Sequence, residues 1–403
     1  MTKVNISKSF KKLNINEHIP HIIKYMGSKK SIINYVVEGI NDCYTGGKVV
    51  DLFAGSSVLS GALRGQTSIL SNDIQQYSAI LAETYLNSYN WDKYDNILEK
   101  IVTQSKSIVA EVKMKLPELT FDYNKEFKLK EFNELEKKQQ DLINYNFSNI
   151  KYHLFMKNYS GTYWSFNQCL WIDSIRGVAE EYKNTNIYYP IMSSLMFAMS
   201  YNSQSTGHYA QYRDATNERN MNDILIYRRK DILSYFIRKF TEFMTYLKNH
   251  DITSQTVSLD YNDCLSVMPK NSTVYADPPY AFVHYSRFYH ALETLVRYDY
   301  PKVMYKGRYR TDRHQSPFCI KSKVRDAFVS MFDGVSRKES NLVLSYSNTG
   351  MIALEELIEL ANTKFSKGYN IEVRVQDYQH STMGRKEDKS RNVQEALILI
   401  KME

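Results

Sequence analysis

The chain has few of the residues that build disulfide frameworks, zinc sites or membrane spans. Its 403 residues include four cysteines, which lie far apart and form no CxxC pair. A disulfide scaffold and a zinc site are therefore not expected, and a reducing compartment fits this cysteine usage. No apolar run approaches the length of a membrane span, and the first residues, MTKVNISKSFKKLN, lack the apolar core of a signal peptide. We expect a cytoplasmic protein with no membrane segment.

Positive charge is concentrated in one segment of an otherwise ordinary globular composition. Hydrophobic residues make up 43% of the chain and charged residues 24%, with a net charge of +8. Residues 302–325 contain eight Lys or Arg residues against one acid, Asp312, and aromatic residues alternate with the cations in KVMYKGRYRTDRHQSPF. Such a segment suits a polyanion backbone with stacking side chains. An ordinary solvated loop is an equally acceptable interpretation at this point.

Strand and helix patterns alternate at both ends of the sequence. Residues 28–40 have helical spacing, the apolar strand KVVDLF precedes a small-residue loop, and TSIL precedes an acidic turn and a helix pattern. Strands resume at QTVSL, STVYA, NLVLSYS, NIEVRV and EALILI. This alternation predicts an α/β fold with a doubly wound sheet. We expect a catalytic domain in residues 1–89 and 253–403, interrupted by a largely helical insert over residues 90–252.

The loop DLFAGSS after the first strand predicts a nucleoside cofactor. In an open α/β sheet the ligand lies outside the carboxyl ends of the strands, where Gly55 lets the backbone approach closely. Asp73 ends the next strand, a position from which an acid commonly binds ribose hydroxyls. The GxGxxG pattern that cradles a pyrophosphate is missing, which favours a cofactor without phosphates, such as S-adenosylmethionine. A tight strand–helix turn with a surface aspartate is the alternative.

Four short blocks occur in chain order: KYMGSK (24–29), DLFAGSS (51–57), SND (71–73) and, after the long insert, DPPY (277–280). Together they resemble the D12-type DNA adenine methyltransferases, which are the DNA adenine methylases and related restriction–modification enzymes. Ser57 departs from the family pattern, which usually has a second glycine there. The resemblance implies a Rossmann-like methyltransferase sheet, S-adenosylmethionine as cofactor, no metal, and a target-recognition role for the insert.

The resemblance also assigns roles to individual residues. Lys29 suits the methionine carboxylate, and Asp73 suits the ribose. Phe288 or Tyr289 suits the face of an adenine ring, and packing in a helical core is the open alternative for these two residues. Asp263 and Cys264 are expected beside the cofactor adenine, with Asp260 a less favoured choice. The full set of expected cofactor-binding residues is Tyr25, Lys29, Asp51, Phe53, Ala54, Gly55, Ser56, Asp73, Asp263, Cys264 and Asp277.

The DPPY block gives a physical reason for methylation of an exocyclic amine. An adenine amino group is a poor nucleophile because its lone pair is delocalised into the ring. The carboxylate of Asp277 and the carbonyl of Pro278 can accept its two N–H bonds, and Asp277 complements the positive charge that develops on nitrogen. Pro279 stiffens the loop, and Tyr280 can stack on a base that must be flipped out of the duplex. These four are the expected catalytic residues.

The expected partner is double-stranded DNA. Lys306, Arg308, Arg310 and Arg313 follow the catalytic loop and are expected to contact phosphates, and residues 201–220 are rich in side chains that read base edges. The basic loop HSTMGRKEDKSR is expected to border DNA. A cognate restriction endonuclease or a second methylase is an open candidate partner, and a monomer is the favoured state. Two alternatives stay open, an N4-cytosine methyltransferase and a catalytically silent specificity subunit.

Overall fold

The computed structural model describes residues 11–16, 18–205, 208–279, 285–347, 350–365, 368–380 and 391–403. Tyr280 lies outside these residues, as does most of the basic loop HSTMGRKEDKSR. In the described part of the chain no helix is long and apolar enough to cross a bilayer.

A seven-stranded sheet, mostly parallel, forms the centre of the molecule. Its strand order is β3-β2-β1-β4-β7-β9-β8, and the first five strands in this order run parallel. Strand β9 is antiparallel to both of its neighbours, and β5 and β6 pair in a separate hairpin. The strands are β1 (Val49–Asp51), β2 (Ile69–Asn72), β3 (Gln255–Val257), β4 (Thr273–Ala276), β5 (Val303–Met304), β6 (Tyr309–Arg310), β7 (Asn341–Ser347), β8 (Tyr369–His380) and β9 (Arg391–Met402).

Helices lie in three groups along the chain. The first group comprises α1 (Ile33–Cys43), α2 (Val58–Ala62) and α3 (Gln76–Leu86). The second comprises α4 (Ile97–Lys115), α5 (Leu129–Gln140), α6 (Leu154–Tyr159), α7 (Phe166–Glu181), α8 (Tyr188–Asn202), α9 (Glu218–Arg228) and α10 (Ile232–Tyr246). The third comprises α11 (Tyr261–Val267), α12 (Tyr285–Phe288), α13 (His290–Arg297), α14 (Val324–Arg337) and α15 (Leu354–Lys364). Short 3-10 turns occupy Lys29–Ile32, Trp91–Lys93, Asp141–Asn144 and Pro317–Cys319.

Both faces of the sheet are covered by helices. Successive strand residues point to opposite faces, so Val49 and Val343 join the core on the side of α1 and α3, whereas Val50 and Leu342 join the core on the side of α11, α14 and α15. Burial on both faces explains why the strands read as nearly continuous apolar runs. The α/β prediction from the sequence is confirmed.

The second helix group packs on one face of this assembly. Between α3 and β3 the described residues form helices and no sheet strand. Helix α8 contacts α3, and its Met196 lies in the same hydrophobic core as Val36 of α1. A smaller separate cluster joins Phe132 of α5 to Ile224 of α9. The helical region is therefore anchored to the sheet face by shared apolar packing.

Candidate active site

Three aspartates meet in one cavity because they follow neighbouring parallel strands. Asp51 ends β1, Asp73 follows β2 and Asp277 follows β4, and all three line the cavity. Carboxyl ends of parallel strands share one edge of the sheet, so residues far apart in sequence come together there. Backbone hydrogen bonds hold the edge in register: Leu52 N donates to Tyr275 O at 2.9 Å, and Ala54 N donates to Asn72 O at 2.9 Å.

The loop after β1 needs two residues with left-handed backbone. Gly55 has φ +52°, and a Cβ there would lie 2.8 Å from the Tyr25 Oη atom, so only glycine fits beside this ring. Ser57 has φ +57°, which gives a physical reason for the glycine usual at this position. Its hydroxyl donates to Ser78 O at 3.1 Å and compensates part of that cost. The departure from the family pattern is thus compatible with the same loop.

Asp73 is held by backbone amides and also lines the cavity. Its Oδ2 accepts from Gly55 N and its Oδ1 from Gln75 N, both at 2.9 Å. Burial raises the pKa of Asp73, and these two hydrogen bonds oppose the rise. A carboxylate has further lone pairs, so Asp73 retains the capacity to accept from a ligand hydroxyl.

Asp51 is buried without full compensation. Its side chain is 2% exposed, and among the described residues its Oδ1 has no hydrogen-bond partner. Burial raises the pKa of Asp51 well above its usual range, and the negative charges of Asp277 and Asp73 raise it further. An uncompensated carboxylate oxygen in a cavity is a reason to expect a cationic or hydrogen-bond-donating ligand.

Asp277 shares an ammonium group with a second acid, Glu395, which is not among the predicted site residues. Lys29 Nζ lies 3.1 Å from Asp277 Oδ1 and 2.8 Å from Glu395 Oε1. Lys29 is 8% exposed and Glu395 is fully buried in β9. Burial raises the pKa of Asp277 to about 7, while Lys29 lowers it and Glu395 raises it. The structure therefore places Lys29 between two carboxylates on the cavity wall, and its contact with a methionine carboxylate stays a prediction.

Pro278 and Pro279 follow Asp277 along the cavity wall. The Sγ–H of Cys319 points to the carbonyl oxygen of Pro279 at 3.6 Å. Tyr280, the remaining expected catalytic residue, lies outside the described residues.

Aromatic rings stack at the N-terminal side of the cavity. Tyr25 stacks against Tyr289, at a centroid distance of 4.7 Å, and against Tyr285, at 5.7 Å. Met26 N donates to the Tyr289 hydroxyl at 2.7 Å, so Tyr289 supports this block from behind. Phe288 instead stacks on His208 at 4.2 Å. Tyr285 lines the cavity, whereas the expected Phe288 and Tyr289 do not.

On the opposite wall of the cavity, some of the lining residues differ from those predicted from the sequence. Phe53, Ala54 and Ser56 line the cavity as expected. Asp263 is exposed on α11, and Cys264 is fully buried in the core on the side of α11, α14 and α15. The residues of this turn that reach the cavity are Asp260, Tyr261 and their neighbour Leu259. Because α11 begins at Tyr261, the next residues rotate away from the sheet edge, and the structure brings Asp260 and Tyr261 to the cavity in place of the expected Asp263 and Cys264.

Part of the basic segment also contributes to the cavity wall. His314, Gln315 and Ser316 line it and were not among the predicted site residues. The sequence feature that could have indicated them is their position, because HQSP directly follows the last of the closely spaced arginines. Glu395 also had a signal, an acid at the start of the apolar strand EALILI.

Two of the predicted phosphate contacts are structural. Arg310 is 3% exposed, and its guanidinium binds Asp299 at 2.6 and 2.7 Å and Asp312 at 3.0 Å. Arg308 is directed inward, where it donates to Gln140 O at 2.7 Å and to Asn158 O. The prediction that these two arginines contact phosphate does not fit this geometry, because Arg310 is held by two carboxylates and both terminal nitrogens of Arg308 donate to backbone carbonyls.

The other two basic residues are exposed. Arg313 lies over the Tyr309 ring at 5.1 Å, and Lys306 pairs with Asp214. Arg287, on α12, also approaches Tyr309 and accompanies Ser286, which lines the cavity. Arg287 and Arg313 therefore both contact the Tyr309 ring, and each is next in sequence to a residue of the cavity wall.

The segment 201–220 is used partly for internal structure. Gln204 is fully buried and bonds the backbone of Thr162 and Arg213. Asn217 caps α9 by accepting from Asn220 N at 2.9 Å. Gln211 and Arg219 are exposed. The residues of this segment that remain available for a partner are fewer than its composition indicates.

A mostly parallel α/β sheet with an Asp-Pro-Pro loop beside an acidic cavity is consistent with a methyltransferase fold. Residues 25–360 match the model of the family described as D12 class N6 adenine-specific DNA methyltransferase. The chain belongs to this family.

Curated relatives are DNA modification enzymes. The chain is 24% identical to "Modification methylase LlaI" of Lactococcus lactis subsp. lactis, over 94% of this chain and 55% of that protein. It is 23% identical to "Modification methylase StsI" of Streptococcus sanguinis, over 84% and 46%. It is also 23% identical to "Type II methyltransferase M.FokI" of Planomicrobium okeanokoites, over 83% and 46%. The chain thus spans about half the length of the curated relatives it matches.

Proposed function

We propose that this chain transfers a methyl group from S-adenosylmethionine to the N6 amino group of a flipped adenine in double-stranded DNA, as the modification enzyme of a restriction–modification system. The observation that carries the proposal is the position of Asp277 and Pro278, at the carboxyl end of β4 and on the wall of the acidic cavity. The family membership and the modification methylases among its relatives support it. We also propose that the sheet is Rossmann-like and that residues 90–252 form an insert that recognises the target sequence.

The residues of the cavity fit the proposed cofactor. Bound S-adenosylmethionine supplies an electrophilic methyl group on a positively charged sulfur. The uncompensated Oδ1 of Asp51 complements the positive charges of its amino and sulfonium groups. The buried carboxylate of Asp73 can accept hydrogen bonds from its ribose hydroxyls. Tyr25, Phe53 and the Ala54–Ser56 backbone line the same space, and Asp260 with Tyr261 closes its far wall. We assign Asp73 to the ribose hydroxyls and the Asp260 turn to the cofactor adenine.

Asp277 and Pro278 act on the target base. The Asp277 carboxylate accepts one N–H of the amino group, and the Pro278 carbonyl accepts the other, which directs the nitrogen lone pair away from the ring. Most of the rate gain then comes from positioning, since no covalent intermediate is needed. The ionised form of Asp277 is the stronger acceptor and complements the charge that develops on nitrogen, so its pKa of about 7 predicts activity that rises with pH through neutrality.

Arg287 and Arg313 are the proposed phosphate-binding residues beside the cavity mouth. Each flanks Tyr309, and the neighbouring Ser286 and His314 line the cavity. Removal of one phosphate-binding cation lowers the slope of log affinity against log salt by about 1. We expect R287A/R313A to reduce this slope by about 2 for cognate and non-cognate duplexes alike. Arg325, which is exposed and pairs with Glu356 on α15, provides the control, and R325A is expected to leave the slope unchanged.

The test of the function uses tritiated S-adenosylmethionine and duplex DNA from a strain without DNA methylation. Digestion of the product to nucleosides identifies the modified base, and N6-methyladenine is the expected result. Label in N4-methylcytosine would replace the proposal with the cytosine reaction. Cofactor binding and DNA binding without transfer would identify a silent specificity subunit. The D277N variant serves as the blank for the assay.

A further inference from the structure

Glu395 is a buried acid in an apolar strand, and its position needs an explanation. It is fully buried in β9, between strands β7 and β8. Its Oε1 accepts from the Ser345 hydroxyl and lies 2.8 Å from Lys29 Nζ, whereas among the described residues Oε2 has no hydrogen-bond partner. A buried carboxylate of this kind costs stability unless a charge partner compensates it. The compensation at Glu395 comes mainly from Lys29.

The ammonium of Lys29 joins Glu395 to the catalytic carboxylate. Lys29 lies on the 3-10 turn before α1, and its Nζ is 3.1 Å from Asp277 Oδ1. With 8% exposure, the ammonium is fixed between two carboxylates that approach it from β9 and from the end of β4. One oxygen of Asp277 is thereby occupied, which orients the carboxyl group in the cavity wall.

Among the described residues, the titratable groups that face Asp277 come from four elements. Lys29 and Glu395 approach as described, Asp51 faces it from the end of β1, and the Tyr275 hydroxyl faces it from β4. Lys29 favours the charged form of Asp277, whereas burial and Glu395 favour the neutral form. Glu395 and Lys29 therefore act on the charge of Asp277 in opposite directions.

We infer that Glu395 is a positioning residue for the methyl transfer, acting through Lys29 to orient Asp277 and to set the pH at which Asp277 becomes ionised. This role rests on the proposed function of the Asp277 site. It assigns Lys29 to the catalytic carboxylate and gives a function to an acid outside the recognised sequence blocks.

The first test follows Asp277 itself, without DNA or cofactor. Infrared difference spectra of the enzyme minus its D277N variant report the protonated carboxyl of Asp277 as a function of pH. We expect E395Q to move the titration midpoint down by about one pH unit, since a negative neighbour is removed. K29M is expected to move it up, since a positive neighbour is removed. Glu372 on β8 is exposed and pairs with Arg374, so E372Q is the matched control and should leave the midpoint unchanged.

The second test separates the charge of Glu395 from its hydrogen bond. E395Q keeps an oxygen for Lys29, so its maximal single-turnover rate should stay within a few-fold of the unmodified enzyme, with the acid limb of the pH profile at lower pH. E395A removes the anchor of Lys29 and is expected to lower the maximal rate at least about 10-fold, as impaired positioning does. An Asp277 midpoint that E395Q leaves unchanged overturns the inference. Failure of the proposed function would give a different result, because the unmodified enzyme would then methylate no adenine at any pH.

Discussion

Buried charges are handled differently in the helical region and at the sheet edge. In the helical region, Arg228 is buried and binds Glu136 through Nε at 3.0 Å, with Thr162 O as a further acceptor at 2.8 Å. Asp173 accepts from Phe155 N, Met156 N and the Tyr298 hydroxyl. Each acid there is matched by donors from the protein.

At the sheet edge the acids outnumber their partners. Asp51, Asp73 and Asp277 line one cavity, and among the described lining residues Lys29 is the one lysine or arginine side chain. Lys29 is shared with Glu395. Matched buried charges specify a packing arrangement, whereas a surplus of one sign inside a cavity indicates a ligand of the other sign. The difference separates a structural region from a binding region without reference to any relative.

The largest effect is expected from breaking a matched pair in the helical region. R228A leaves Glu136 buried without its cation, which typically costs about 3–5 kcal/mol. Urea unfolding followed by circular dichroism measures the loss. Lys130, an exposed residue that faces Glu134 on the same α5 helix, is the control, and K130A should change stability by less than about 1 kcal/mol. A loss below about 1 kcal/mol for R228A would show that the buried pair does not stabilise the fold.

The next largest effect is expected from removing a surplus charge. D277N should lower the rate of adenine methylation at least about 100-fold, since the amide presents a weaker acceptor to the amine. The free energy of unfolding should not fall, because burial already disfavours the Asp277 charge.

Asp173 provides the matched comparison for D277N. D173N places an amide beside two N–H donors and should lower stability by about 1–3 kcal/mol. Its rate per folded molecule should be unchanged. If D173N lost activity and D277N lost stability, the division between the two regions would be wrong.

A moderate effect is expected in the pH dependence of stability. An acid whose folded pKa is raised contributes stability below its unfolded pKa, and this contribution is lost as pH rises through the folded pKa. Asp277 has a pKa of about 7, and the pKa of Asp51 is also raised, so the cofactor-free protein should lose stability between about pH 4 and pH 7. Burial also raises the pKa of Asp173 to about 7, so a variant is needed to isolate the cavity.

D51N isolates the contribution of the cavity. Thermal unfolding of D51N should show a smaller decline in Tm over this pH range than the unmodified protein. Added S-adenosylmethionine should raise the Tm of the unmodified protein more at pH 7 than at pH 5, because its positive charges meet ionised carboxylates. If Tm depended on pH identically in the two proteins, Asp51 would not contribute to the surplus of negative charge in the cavity.

The smallest effect concerns the loop that carries Gly55 and Ser57. S57A keeps a left-handed residue without the hydrogen bond to Ser78, so a loss of about 1 kcal/mol is expected. S57G loses the same bond but relieves the backbone, so its stability should stay within about 0.5 kcal/mol. Differential scanning calorimetry distinguishes the two, and equal losses would mean that the positive φ of Ser57 carries no cost.

Local patterns determined the elements that form the sheet edge. The apolar runs KVVDLF, TSIL and STVYA predicted strands, and strands form there, with Asp51 at the end of β1, Asp73 directly after β2 and Asp277 directly after β4. Side-chain alternation and proline punctuation act over a few residues, so they can be read without the rest of the chain. The resemblance to the D12-type enzymes implied that these acids belong to one site, and the parallel strand order brings them to one edge of the sheet.

Contacts between distant segments were decided by tertiary packing. The predicted phosphate contacts Arg308 and Arg310 are directed inward, towards the Gln140 and Asn158 carbonyls and towards Asp299 and Asp312. Composition shows that a segment is basic, but the direction of each side chain depends on which acids the fold brings beside it. Lys29 and Glu395 illustrate the same limit, since they meet only because β9 inserts between β7 and β8. The sequence by itself determined which acids stand at the sheet edge, whereas the tertiary structure decided which charges are matched, because matching depends on packing between segments far apart in the chain.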